Sequence, residues 1–198
     1  MLQGVVELIL DKPTYRVPEL CLVMDGNKGK GEGRYGFVDV FIPAMNTISG
    51  VRTIANLFEL KYITLEGLLK GAKKDWRRYP TYSDMEDLEK RLSEEDEGTI
   101  LERNYMYWSK DLRQPETKTV GSILEGGMEQ VVRYMKTVAN GQTKGWNDSG
   151  IWDKRINVGD GNDLLQGHVI MGIGKSRFLV RSIQAMPTSK EYNRILQF

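Results

Sequence analysis

The stretch TLEGLLKGAKKDWRRY at positions 64–79 has the residue spacing of an amphipathic helix. Its apolar residues recur on one helical face, as the set Leu65, Leu68, Leu69, Ala72 and Trp76. Its cations recur on another face, as the set Lys70, Lys73, Lys74, Arg77 and Arg78. Thr64 is placed to cap the first turn, and Pro80 is placed to end the helix. This spacing predicts a helix with an apolar side and a basic side.

An acidic segment follows the basic one. Residues 83–97 carry eight acidic and two basic side chains, and Ser83 and Glu86 have the spacing of a capping box that starts a second helix. Gly98 is placed to end that helix. In an antiparallel pair of helices the two charged faces would neutralise each other. If the basic face stays open, it suits a phosphate backbone or an acidic protein partner.

Apolar runs on both sides of this helical part predict β-strands. The predicted strands are Val5–Leu10, Leu20–Met24, Phe37–Ile42, Gln166–Met171 and Phe178–Ile183. A further helix is predicted to start at Asn46 or Thr47 and to carry Ile48, Val51, Ala55 and Phe58. The fold class that follows is α+β. We predict a single domain whose mostly antiparallel sheet comes from N- and C-terminal hairpins, with a helical insertion around 46–95 that forms a subdomain over 46–97.

The other segments are assigned from their turn and helix signals. Ile100–Trp108 is compatible with strand and with helix, and Gln114–Glu116 is predicted to be a connector. Ser122–Val138 is predicted to be a helix that stops at Asn140-Gly141. A long loop is predicted over 141–163, with Trp146 and Trp152 embedded, and a terminal helix over Ser189–Leu196.

The composition is that of an ordinary folded protein. Of 198 residues, 40% are hydrophobic and 28% are charged, and the formal net charge is +1. Any attraction for nucleic acid must therefore come from local patches. The N-terminus lacks the features of a signal peptide, and no stretch approaches the roughly 18 apolar residues of a membrane span. Because Cys21 is the one cysteine, we expect no internal disulfide. From the missing signal peptide, the missing membrane span and the net charge, we expect a cytoplasmic, reducing location and no membrane partner.

A glycine-rich loop joins two of the predicted strands. Residues 26–36 contain five glycines and three cations, Lys28, Lys30 and Arg34. Gly31 to Val38 fits the pattern G-x-G-x-x-G-x-V, which resembles the phosphate-covering loop of protein kinases. The chain lacks the V-A-I-K lysine, the H-R-D and the D-F-G that a kinase site needs, so we exclude kinase activity. A strand follows the loop, which excludes a dinucleotide-binding helix start. The three cations remain as candidate phosphate contacts.

Three aromatic residues, Tyr105, Tyr107 and Trp108, lie beside Lys110 and Arg113. This composition suits a platform on which single-stranded bases stack. Packing in the core is the other interpretation, because aromatic side chains dominate protein cores.

No catalytic residue is identified from the sequence. The one histidine, His168, alternates within an apolar strand and is predicted to be a satisfied core residue. Gly172–Ser176 is predicted to be a hairpin turn, because Val169 stands where a Walker A loop needs glycine. The spacing of Asp148, Asp153, Asp160 and Asp163 does not fit an EF-hand. We therefore predict no metal and no cofactor.

These features lead to a functional prediction with two alternatives. We predict a small, non-enzymatic, intracellular accessory protein that binds nucleic acid without base specificity. Its phosphate contacts would be Lys70, Lys73, Lys74, Arg77, Arg78, Lys28, Lys30 and Arg34, and its stacking residues Tyr105, Tyr107 and Trp108. The first alternative is a structural or assembly protein that acts through a protein partner or as a homo-oligomer. The second is an enzyme whose site the sequence does not reveal.

Overall fold

The computed structural model describes residues 16–43, 53–77, 79–145 and 147–195. Within these ranges the chain forms four α-helices and eleven β-strands, which confirms the α+β class. The predicted strand Val5–Leu10 and the predicted helix start at Asn46 lie outside the described residues, as do Arg78 and Trp146.

The helices, numbered in chain order, are α1 Leu65–Lys73, α2 Tyr82–Glu94, α3 Glu97–Glu102 and α4 Val120–Ala139. The strands are β1 Val17–Val23, β2 Tyr35–Ile42, β3 Ile54–Ile63, β4 Asn104–Ser109, β5 Gln114–Thr119, β6 Gly150–Ile151, β7 Ile156–Asp160, β8 Leu164–Ile173, β9 Arg177–Ser182, β10 Met186–Pro187 and β11 Lys190–Arg194. Across the described ranges, none of the helices is long and apolar enough to cross a membrane.

Seven strands form the main sheet. Their order is β10-β8-β3-β2-β1-β6, with β9 also paired to β8. The pairs β1–β2, β2–β3, β1–β6 and β8–β10 are antiparallel. Two further antiparallel ribbons consist of β4 with β5 and of β7 with β11. Strands from the N- and C-terminal parts of the chain thus meet in one mostly antiparallel sheet, as predicted.

The predicted helix through Ala55 and Phe58 is wrong, because this segment is part of β3. Burial alternates along the strand: Ala55, Leu57 and Glu59 are buried, and the residues between them are partly exposed. This period of two residues, together with the antiparallel pairing to β2, prevails over the helical spacing of the apolar residues. The predicted helical insertion around 46–95 therefore contains a strand before its two helices.

The chain divides into two compact units, each described by itself. Unit 1 comprises Met1–Glu59, Met128–Val169 and Arg181–Phe198, and unit 2 comprises Leu60–Gly127 and Ile170–Val180.

In unit 1 the C-terminal part of α4 packs closely on β8. A Cβ atom at Gly167 would lie 2.2 Å from Val131 Cγ1 and 2.8 Å from Met135 Sδ. Both helical side chains are buried. The helix can approach this closely only because residue 167 is glycine. The helix stops before Gly141, whose φ is 84°, as its sequence predicts.

The predicted terminal helix over 189–196 is wrong where the structure describes it. Residues 190–194 form β11, which pairs antiparallel with β7. Tyr192 has no exposed surface, packs edge-on against Phe41 with ring centres 5.9 Å apart, and donates its hydroxyl to Val138 O at 3.1 Å. Burial raises the pKa of Tyr192 to about 12. These partners are distant in sequence, so local residue spacing could not indicate them.

In unit 2, helix α1 lies directly on β4. A Cβ atom at Gly71 would lie 2.2 Å from Asn104 O, and one at Gly67 would lie 2.2 Å from Tyr105 Cε2. The two glycines, four residues apart, give the helix a side without side chains where the strand fits. The Thr64 hydroxyl accepts from the Gly67 amide at 3.1 Å, which confirms the predicted cap.

The ambiguous segment Ile100–Trp108 contains the end of α3 and most of β4. The connector predicted at Gln114–Glu116 is wrong, because these residues begin β5. Pro115 is tolerated there since a two-stranded ribbon leaves one edge of each strand without a neighbour.

The acidic helix α2 begins and ends earlier than predicted. Thr81, not Ser83, is its N-cap, and Asp84, not Glu86, completes the capping box. The helix ends before Gly98, which lies inside α3. The sequence contains two possible capping boxes, Thr81 with Asp84 and Ser83 with Glu86, and the structure uses the first.

Candidate nucleic-acid interface

The cations of the predicted basic face do not share a helix face. Helix α1 ends at Lys73 because Lys74 adopts the left-handed conformation, with φ of 52°. Arg77 therefore lies beyond the helix, and Arg78 lies outside the described residues. The prediction of a continuous basic helix face is wrong.

Lys70 is held by contacts within unit 2. It is only 6% exposed, and its Nζ lies 2.7 Å from Glu66 Oε1. The same Nζ lies 4.4 Å from the centre of the Trp76 ring and 5.7 Å from that of Tyr79. The Glu66 carboxylate and the faces of the two rings thus stabilise the positive charge of the buried Lys70 ammonium group. Lys70 has little surface left for a phosphate.

The other described cations of this segment, Lys73, Lys74 and Arg77, are exposed. In the part of the chain that the structure describes, none of the three forms an ion pair. Their role as phosphate contacts stays a prediction.

Two carboxylates of the acidic segment are engaged away from these cations. Glu89 accepts hydrogen bonds from the amides of Lys175 and Ser176 at 3.0 and 2.9 Å. Glu95 forms an ion pair with Arg103, whose hydrogen bonds lower the pKa of this carboxyl. These two carboxylates therefore do not supply the charge neutralisation that the sequence suggested for α1 and α2.

The glycine-rich segment forms the tip of the β1–β2 hairpin, as predicted. Gly31 and Gly33 have φ of 91° and 88°, a conformation that favours glycine. Lys28 and Lys30 are exposed, and Arg34 Nε donates to the backbone oxygen of Lys28. This tip therefore carries all three of the predicted loop cations.

An open groove of about 610 Å³ lies on unit 1. We call it the Trp152 groove, and its lining residues are Cys21, Lys30, Arg34, Tyr35, Phe37 and Trp152. Phe37 is 52% exposed and Trp152 is 40% exposed. The rings of Tyr35 and Trp152 stack, with centres 5.5 Å apart and planes inclined by 21°. Two predicted phosphate contacts thus share one groove with three aromatic rings.

Strand pairing brings Trp152 into this groove. The Trp152 amide donates to Cys21 O at 2.9 Å, directly after β6 pairs with β1. Cys21 in turn lies opposite Phe37 in the β1–β2 ladder. The long loop predicted over 141–163 is wrong in part, because β6 and β7 lie within it. The two-residue spacing of Tyr35 and Phe37 was a signal available in the sequence, whereas the pairing of β6 with β1 was not.

Cys21 forms part of the groove wall as a neutral thiol. Burial, aided by the negative charge of Asp153, raises the pKa of this thiol. Asp153 itself pairs with Arg155 at 2.6 Å. Burial raises the pKa of Asp153, but the hydrogen bonds from Arg155 and Cys21 outweigh this and hold the pKa below its ordinary value. Cys21 therefore lacks the electropositive setting of a reactive cysteine.

The predicted stacking residues lie in unit 2. The rings of Tyr105 and Tyr107 are parallel to within 12°, with centres 6.2 Å apart. The Tyr105 ring packs against Gly67 of α1. Trp108 is half exposed, with its ring centre 5.9 Å from that of Trp76. Packing accounts for Tyr105, while base stacking by Tyr107 and Trp108 stays a prediction.

His168 of unit 1 has hydrogen-bond partners for both ring nitrogens, as predicted, but it is half-buried and does not lie in the core. Its Nδ1 lies 2.9 Å from Ser182 Oγ, and its Nε2 lies 3.1 Å from Asn56 Oδ1. Because an amide oxygen only accepts, the proton is on Nε2 and the serine hydroxyl donates to Nδ1. The ring also stacks on Phe58 at 4.8 Å. Burial lowers the pKa of His168.

The His168 imidazole is expected to titrate below pH 6.5, the ordinary value for a histidine. The unfolded chain then takes up the proton first, so the free energy of unfolding should fall as pH falls through about 6.5 toward the folded-state pKa. Because the chain has one histidine, its C2-proton resonance in an NMR titration reports this pKa directly. A midpoint above pH 6.5, or an unchanged pH dependence of stability near pH 6 in a His168→Gln variant, would contradict the expectation.

Three of the four carboxylates of the region 147–163 have partners of their own. Asp160 pairs with Lys190 at 2.9 Å, and Asp163 accepts from the Thr53 hydroxyl at 2.7 Å. Among the described residues no group of three or more His, Cys, Asp or Glu side chains is arranged to hold a metal ion.

The Trp152 groove is therefore the place where described cations and exposed aromatic rings lie together in unit 1. It combines flat apolar faces with positive charge, the two properties that bases and phosphates require of a binding surface. Comparison of the chain with protein-family profiles, with curated proteins and with solved structures found no match.

Proposed function

We propose that this protein is a non-enzymatic nucleic-acid-binding protein that takes up single strands through the Trp152 groove. The observation that carries the proposal is the presence of Phe37 and Trp152, both substantially exposed, in one groove with Lys30 and Arg34. Aromatic rings beside cations are typical of sites that bind single strands.

The aromatic rings account for a preference for single strands. Every base has a π face, so stacking on Phe37 or Trp152 tolerates any sequence. In a duplex these faces are already covered by neighbouring bases, and the rings of an open groove cannot reach them. The stack of Tyr35 against Trp152 at 5.5 Å also fixes the indole plane before a base arrives.

The hairpin tip supplies the charge that phosphates need. Lys28 and Lys30 are exposed beside Arg34, and each contact with a phosphate releases a counterion. The two acids of the tip are engaged by the backbone: Asp25 accepts from the Asn27 amide and Glu32 from the Gly29 amide, each at 3.0 Å. With three cations, Lys28, Lys30 and Arg34, and two carboxylates, the tip keeps a net charge of +1, which favours contact with phosphates.

Salt dependence tests this proposal. If Lys28, Lys30 and Arg34 each contact one phosphate of a single strand, raising salt from about 50 to about 200 mM should weaken binding about 20-fold. The measurement is fluorescence anisotropy of a labelled oligothymidylate. In the triple variant Lys28→Ala/Lys30→Ala/Arg34→Ala, binding at low salt should be weaker and its salt dependence should largely disappear.

A matched control is the triple variant Lys73→Ala/Lys74→Ala/Arg77→Ala, which removes three exposed cations from unit 2. It should bind the oligonucleotide as the wild type does. If this control variant lost affinity while the hairpin-tip variant kept it, the phosphate contacts would lie on the basic segment at the end of α1 instead. No binding at low salt would end the nucleic-acid proposal and leave self-association, which the exposed Phe178 and Val180 of β9 favour.

A further inference from the structure

A second groove, on unit 2, has no part in the function proposed above. Its volume is about 410 Å³, within the size range of small-molecule sites. It is lined by Tyr62 and Lys61 of β3, Tyr105 and Tyr107 of β4, Lys118 of β5, and residues of the first half of α4 that include Gly126 and Gly127. We call it the tyrosine groove.

Gly126 keeps one side of this groove open. A Cβ atom at this position would meet nothing within 4 Å. Glycine is a poor residue for a helix interior, and here no packed neighbour requires it. Its effect is to expose the backbone of α4 to the groove, so that a flat group can approach the helix closely.

The polar groups of the groove favour an anion. Lys118 Nζ lies 5.9 Å above the centre of the Tyr107 ring. Lys61 also lines the groove, and the described lining residues include no carboxylate. Tyr62 is 42% exposed, and Tyr107 is partly exposed beside it. A ligand here meets aromatic faces and positive charge together.

We infer that the tyrosine groove binds a free nucleoside phosphate. The base stacks on the tyrosine faces beside Gly126, and the phosphate binds to Lys118. The inference goes beyond the single-strand site, because the two grooves belong to different units and share no residue. Either site can therefore fail in a test while the other holds.

Isothermal titration calorimetry with ADP, adenosine and inorganic phosphate tests this inference. ADP should bind, and adenosine alone or inorganic phosphate alone should bind more weakly than ADP. A Gly126→Leu variant should fold at least as well as the wild type, because leucine favours helices and the space is open. The new side chain fills the groove, so ADP binding should weaken by about tenfold or more.

The matched control is Gly159→Leu, the same change at an exposed position of unit 1 where a Cβ atom also meets nothing within 4 Å. It should leave ADP binding unchanged. Lys118→Gln should weaken the binding of ADP and leave the binding of adenosine unchanged, because only the phosphate groups need the positive charge. Should Gly126→Leu lower the thermal midpoint, Gly126→Ala replaces it as the smaller obstruction.

Three results would overturn the inference. The first is that ADP does not bind at millimolar concentration. The second is that replacing Gly126 leaves the affinity for ADP unchanged. The third is that Lys118→Gln lowers the affinities for ADP and adenosine equally. A labelled oligonucleotide distinguishes a free nucleotide from one within a strand. If Gly126→Leu weakens oligonucleotide binding as much as ADP binding, the tyrosine groove binds a nucleotide of a strand and not a free nucleotide.

Discussion

Replacement of Tyr192 by alanine is expected to lower the free energy of unfolding by about 4 kcal/mol. Tyr192 has no exposed surface, and its ring packs edge-on against Phe41 at 5.9 Å. Alanine would leave a cavity at this contact and would also remove the hydroxyl that donates to Val138 O at 3.1 Å. Urea unfolding of the variant and the wild type, followed by circular dichroism, measures the difference.

The control is Tyr192→Phe, which removes the hydroxyl and keeps the ring. Its expected cost is about 1 kcal/mol, because Val138 O retains a second donor, the Gly141 amide at 2.9 Å. If the alanine and phenylalanine variants were equally stable, the ring would contribute no packing energy and the assignment of β11 to the core of unit 1 would be wrong.

The double variant Phe37→Ala/Trp152→Ala is expected to lose at least about 2 kcal/mol of single-strand binding, which is about 30-fold in affinity. Each ring presents a face on which one base can stack, and alanine removes both faces while leaving the cations of the hairpin tip in place. The salt dependence of the remaining binding should therefore stay as in the wild type. Anisotropy titrations with one oligonucleotide at two salt concentrations measure both quantities.

Two exposed aromatic residues of unit 2 give a matched control, Tyr82→Ala/Phe178→Ala, at exposures of 68% and 44%. This variant should bind as the wild type does. If instead it lost affinity while Phe37→Ala/Trp152→Ala kept it, bases would stack on unit 2 and the Trp152 groove would not be the site.

Local sequence patterns located most of the main sheet and three of the four helices of the described residues. The apolar runs around Leu20, Phe41 and Val169 each lie in a strand of the sheet, and the helix that ends before Gly141 is α4. These elements are predictable because their burial period and their end signals are contained within a dozen residues. The capping role of Thr64 is local in the same sense.

The wrong predictions concern segments whose conformation depends on distant partners. Residues 190–194 have a composition compatible with a helix, but Tyr192 is placed by Phe41 and by the pairing of β11 with β7. The basic helix fails for a different reason. Lys74 adopts a left-handed conformation, which nothing in the spacing of apolar residues indicates.

Only part of the Trp152 groove could be predicted from the sequence. Lys30 and Arg34 stand out because glycines surround them, and the alternation of Tyr35 and Phe37 puts two rings on one face of β2. Trp152 could not be assigned to the same place, since it enters through the short pairing of β6 with β1. A two-residue strand leaves no periodic signal.

The one thiol of the chain, Cys21, lies in the wall of the Trp152 groove. The protein therefore contains a unique attachment point for a maleimide dye or a spin label in the proposed binding surface. Because burial raises the pKa of this thiol, modification proceeds faster in mildly alkaline buffer. Any molecule that occupies the groove also shields the sulfur, so the rate of alkylation reports occupancy without a change to the sequence.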